Sequence, residues 1–65
     1  MKLKYFTIEI NGKCFDLPKN MTIPQMGSIF FIEYEAGIVD NIKYYVKNNK
    51  IYMVSIHTKP IKPII

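Results

Sequence analysis

The single histidine, His57, and the single cysteine, Cys14, are where catalytic chemistry would first be sought, and neither has partners at a readable spacing. A general base must reach a nucleophile and be oriented by a third group. No Ser, Cys or carboxylate can be tied to His57 from the sequence, so it reads as a surface residue near the end of a terminal strand, or as a phosphate contact. Cys14 falls opposite Glu9 in a hairpin described below, and a neighbouring carboxylate works against the thiolate that a nucleophile needs. Glu33 and Glu35 stand two apart with only Asp40 to join them across a turn, which reads as a solvated strand end rather than a hard-cation site. No Cys/His cluster has zinc spacing. No catalytic residue, metal ligand or cofactor is therefore assigned, and the expectation is a non-enzyme.

Lys43-Tyr45-Lys47 is the most informative constellation. Two ammonium groups flank an aromatic ring on one strand face, and in the register preferred below Tyr45 lies opposite Ile51 and Lys43 opposite Met53. The candidate surface is thus Lys43, Tyr45, Lys47, Ile51 and Met53, with His57 beyond. Protein contact, including self-association, is the leading reading, because Tyr and Met favour interfaces and Lys stems fold over apolar area. The alternative is single-stranded nucleic acid or a nucleotide, with the ring on a base and the lysines on phosphates. Pro60-Ile61-Lys62-Pro63 fits a PxxP spacing but lacks the arginine anchor of such ligands, and Ile61, Ile64 and Ile65 are expected to pack on the domain or on a neighbouring chain.

Strands must position these groups. In Phe6 to Leu17 the dipeptide Asn11-Gly12 tolerates the positive φ of a type I′ turn, whose twist matches the flanking strands. Pairing Ile10 with Lys13 puts Ile8 opposite Phe15 and Phe6 opposite Leu17 on an apolar face. Thr7 with Asp16 and Glu9 with Cys14 then form a polar one, so turn chemistry and hydrophobic pattern agree.

From Leu17 to Ser28 the pattern breaks at Pro18, Asn20, Pro24 and Gly27, which predicts a connecting loop, with room for one helical turn after Thr22. Met21, Ile23 and Met26 are expected to plug one end of the core. Ser28 to Glu35 is apolar on both faces in its first half and reads as a central strand. Ala36-Gly37 reads as the next turn, and Ile38 to Val46 as the strand after it. For the last hairpin, a two-residue loop at Asn48-Asn49 would bring apolar residues against Tyr45, Lys43 and Asn41. A three-residue loop of Lys47, Asn48 and Asn49 pairs Tyr44 with Tyr52 and Ile42 with Val54 on one apolar face, and is preferred.

The expected fold is all-β: a small five-stranded antiparallel meander curled into an SH3-like or OB-like barrel, formed by residues 1–58 with an extended Pro-containing tail over 59–65. Sixty-five residues make one small domain, near the size where a single core supplies roughly 3–5 kcal/mol. With no second cysteine for a disulfide, oligomerisation is the remaining staple, and a homodimer is expected to cover leftover apolar surface.

The net charge of +4 rests on nine Lys and no Arg, which weakens base-specific nucleic-acid recognition without excluding phosphate contacts. The start has no apolar run behind Lys2 and Lys4, so no signal peptide is expected, and the longest uncharged apolar run, Ile29 to Ile32, is too short for a membrane span. A cytoplasmic location fits the unpaired cysteine. The Ile, Lys, Asn, Tyr and Phe bias is that of AT-rich coding. Together these point to a small protein-interaction module that binds and modulates or inhibits a macromolecular partner, of the phage- or mobile-element-encoded kind.

Overall fold

A computed structural model describes residues 3–61. Among these residues five strands form: β1 (Tyr5–Ile10), β2 (Lys13–Asp16), β3 (Ile29–Ile32), β4 (Glu35–Lys47) and β5 (Lys50–Lys59). They build one sheet in the order β2-β1-β5-β4-β3, which curls into a half-barrel of the small SH3/OB-like kind. All neighbours are antiparallel except β1 and β5, which run parallel, so the sheet is mixed where a simple meander was expected.

The first hairpin has the expected register, Ile8 opposite Phe15 and Thr7 opposite Asp16. Asn11 (φ 52°) and Gly12 (φ 80°) supply the two positive angles of the turn. Alternation then sends Phe6, Ile8 and Ile10 into the curl of the sheet, where they bury against Val39, Val54 and Ile56, with Leu17 closing the rim. Each such side chain contributes about 1.5–3 kcal/mol by leaving water. Thr7, expected in solvent, is half-buried because β5 lies on its other side.

Between β2 and β3 the chain is the expected loop, with a turn closed by the Met21 N–H on the Pro18 carbonyl at 3.1 Å. No helical turn follows Thr22. Met21 and Ile23 pack on the core, but Met26 is 59% exposed, because it sits at the corner of a Gln25–Ser28 turn that Gly27 (φ 83°) allows.

Two expectations for the next stretch are corrected. β3 is an edge strand, not a central one: only Phe30 and Ile32 reach the core, and Ile29 and Phe31 face outward. The turn after it is Glu33-Tyr34, with Glu33 at φ 53°, rather than Ala36-Gly37. Gly37 is buried in β4 for a packing reason, since a Cβ there would collide with Thr58.

The last hairpin turns through two residues, Asn48 (φ 54°) and Asn49 (φ 62°), not three. A bulge at Tyr52 supplies the parity that the longer loop was invoked to provide. Tyr44 and Val54 therefore share a face as expected, but they are direct partners, and Ile42 pairs with Ile56. A second bulge at Asp40 separates the Val39–Thr58 and Asn41–His57 pairs.

The open seam of the half-barrel is bridged by charge. Glu35 accepts from Asn11 Nδ2 at 2.9 Å and from Lys13 Nζ at 2.7 Å, tying the first turn to the start of β4. β5 ends at Lys59, one residue inside the expected tail; Ile61 is 40% exposed. The expected packing of Ile64 and Ile65, and the PxxP spacing completed by Pro63, lie outside the described residues.

Candidate functional site

The outer face of the sheet is organised in rows, because β1, β5 and β4 lie side by side and alternate residues point away from the core. Tyr5, Met53 and Tyr45 form one row; Thr7, Ser55 and Lys43 the next; Glu9, His57 and Asn41 the third. Lys43, Tyr45, Met53 and His57, four of the six residues singled out in the sequence, are thus brought onto one face. The bulge slides their partners by two: Tyr45 faces Met53 and Lys43 faces Ser55. Tyr45 and Tyr52 meet with ring centroids 6.4 Å apart and planes at 58°. Ile51 leaves this set, since the bulge turns it to the inner side where it packs on the core. Lys47 flanks the hairpin turn at the far end, opposite Lys50.

His57 has a partner that the sequence does not reveal. Its Nδ1 lies 2.8 Å from the Asp40 carboxylate, and the bulge at Asp40 is what brings the two together. The ionised carboxylate can only accept, so Nδ1 is the donor in this contact. No hydroxyl or thiol among the described residues hydrogen-bonds to the ring, so the pair positions an imidazole without an attached nucleophile.

The other reactive candidates fall apart in space. Cys14 is exposed opposite Glu9, as the register required. Glu33 sits in the β3–β4 turn and Glu35 begins β4, so they do not share a strand. Glu35 is engaged at the seam, where the Asn11 amide first, and the Lys13 ammonium with it, hold its carboxyl below the usual range. Lys13 is correspondingly held above its usual range by its hydrogen bond to Glu35 and by that residue's charge.

Two surfaces escaped the sequence reading. One is the β3 edge: its outer side pairs with no strand among the described residues, and it presents Phe31 (73% exposed) and Ile29 (52%) beside Ala36 and Ile38. The apolar run Ile29 to Ile32 was visible, but an edge strand and a buried one carry the same letters.

The other is an open groove of about 1040 Å³ at the end of the barrel where the chain start, the β2–β3 loop and the β4–β5 turn meet. Lys4, Lys19, Lys47 and Lys50 line it together with Tyr5 and Tyr52, and no acidic residue among those described does. Only Lys47 of these six was singled out in advance; Lys4, Tyr5 and Lys19 come from segments far from it in sequence.

The chain matches no family model, no curated protein and no solved structure at a significant level.

Proposed function

We propose that this chain is a non-enzymatic interaction module that docks a protein partner along the β3 edge and, by occupying it, modulates or inhibits that partner. The observation that supports the reading is the outer side of β3, where a free backbone edge coincides with two large exposed apolar side chains, Ile29 and Phe31. An unpaired, apolar edge is what strand addition uses: main-chain hydrogen bonds give affinity and alternate side chains give specificity. A second copy of the chain is one partner of this chemistry, so a homodimer is part of the proposal. A cytoplasmic setting, with Cys14 kept as a free thiol, goes with it.

Light scattering of the pure protein and tagged capture from a host extract test the proposal together. Phe31→Glu and Ile29→Lys should leave circular dichroism unchanged while abolishing either the dimer or the captured protein. A monomeric mass combined with captures that survive both substitutions would count against the β3 edge. The lysine-lined groove favours a second kind of binding, which stands on separate residues.

A further inference from the structure

We propose that the groove formed by Lys4, Lys19, Lys47 and Lys50 holds the phosphate backbone of a single-stranded nucleic acid, with the Tyr5 and Tyr52 rings as stacking surfaces for its bases. This goes beyond the β3-edge reading and uses none of its residues.

Charge is the first argument. Four of the chain's nine lysines come from three separate segments to line one groove, and among the described residues no acidic one lines it. The ion pairs among the described residues are Lys13–Glu35 and His57–Asp40, so no described carboxylate engages a groove lysine. Like charges gathered this way repel one another unless an anion lies between them.

The backbone that carries these lysines is fixed. The Lys4 N–H donates to the Tyr52 carbonyl at 2.7 Å, Lys19 sits within the turn closed between Pro18 and Met21, and Lys47 and Lys50 flank the Asn48-Asn49 turn.

Aromatic surface and shape select among anions. Tyr5 is 52% exposed at the groove, and the ring of Tyr52 continues through Tyr45 onto the outer face. A ring beside ammonium groups suits a base joined to phosphates, and every base has a face to stack. The groove of about 1040 Å³ is at or above the size of pockets that enclose small ligands, roughly 300–1,000 Å³, and it is open to solvent. A strand can run through such a groove, whereas a single nucleotide would be poorly enclosed. Lysine acts as a point charge on phosphate without the bidentate fork that reads bases, so binding should be indifferent to sequence.

The test uses the full chain and fluorescein-labelled oligothymidylate of about 12 nucleotides, followed by anisotropy across a salt series. Four phosphate contacts on a single strand give a logarithmic salt slope near −2.8, so affinity should fall about 50-fold between about 50 and 200 mM salt. Removing two contacts with Lys19→Gln/Lys50→Gln should cut that loss to about 7-fold. Lys59→Gln, outside the groove, should leave the slope unchanged. Tyr5→Leu should weaken binding about tenfold at constant salt if its ring stacks, and each variant is checked for its fold by circular dichroism.

A slope that shifts equally with Lys59→Gln would overturn the groove in favour of general surface charge. Full competition by inorganic polyphosphate, with no effect of Tyr5→Leu, would overturn stacking and reduce the groove to an anion site. Equal affinity for duplex DNA, or no binding at about 50 mM salt, would overturn the assignment outright.

Discussion

Replacing Gly37 by alanine probes the tightest packing decision in the fold. A Cβ at this position would press on Thr58 Oγ1, come within 2.7 Å of Thr58 Cβ and lie 3.4 Å from Ile10 Cγ2. Thr58 is 5% exposed, and its hydroxyl donates to the Glu9 carbonyl at 2.8 Å, joining β5 to β1. The added methyl therefore forces a choice. If Thr58 turns away, a buried hydroxyl and a carbonyl lose their partner, at about 1–3 kcal/mol. If the strands shift instead, overpacking costs a similar ~1–3 kcal/mol. Alanine regains roughly 0.5–1 kcal/mol over glycine in a strand. The net loss is about 1–2 kcal/mol, a large part of the roughly 3–5 kcal/mol that a core of this size supplies. Urea unfolding followed by tyrosine fluorescence measures it, and the melting temperature should drop by about 10 °C. Thr58→Gly removes both the hydroxyl and the Cβ that the added methyl would meet. The double variant should therefore be more stable than the two single losses imply, by about 1 kcal/mol. Gly37→Ala within about 0.5 kcal/mol of the parent, or a strictly additive cycle, would refute the proposition that β4 needs glycine to approach Thr58.

Two further predictions concern the turn and the seam. Glu33 holds φ at 53°, a conformation that costs an L-residue about 1–2 kcal/mol, so Glu33→Gly should raise the unfolding free energy by roughly 0.5–1 kcal/mol despite glycine's entropy. No change, or a loss, would mean that the Glu33 side chain makes a contribution of its own. At the seam, Glu35 is held below its ordinary value of 4.5, so its contribution is complete above that pH and is lost as the pH falls through the depressed value. Lys13 is held above 10.5, so its contribution is complete below that pH and is lost as the pH rises through the raised value. Urea midpoints should thus be flat between about pH 5 and 10 with respect to this pair, and Glu35→Gln should flatten the acid limb. An unchanged acid limb in Glu35→Gln would remove the seam from the pH response.

The sequence by itself determined what neighbouring residues decide. Asn11-Gly12 fixed a two-residue turn, and alternation on either side fixed which of Ile8, Phe15, Thr7 and Asp16 pair, because both constraints act within a dozen residues. The loop from Leu17 to Ser28 was legible from its prolines. The apolar pattern also showed that Tyr44 and Val54 share a face, and that Lys43, Tyr45, Met53 and His57 form part of one surface. Only the tertiary structure decided how that shared face is achieved, since an extra residue in the loop and an extra residue in a bulge satisfy the same parity. It chose bulges at Tyr52 and Asp40, and with the second it created the Asp40–His57 contact. It also placed β3 at the edge, because strand order depends on which faces the whole chain can bury and not on the letters of one strand. The parallel β1–β5 pairing joins Tyr5 to Met53 across most of the chain. That long-range closure is what gathers Lys4, Tyr5 and Lys19 with the Lys47–Tyr52 turn into one groove, a site that no local pattern encodes.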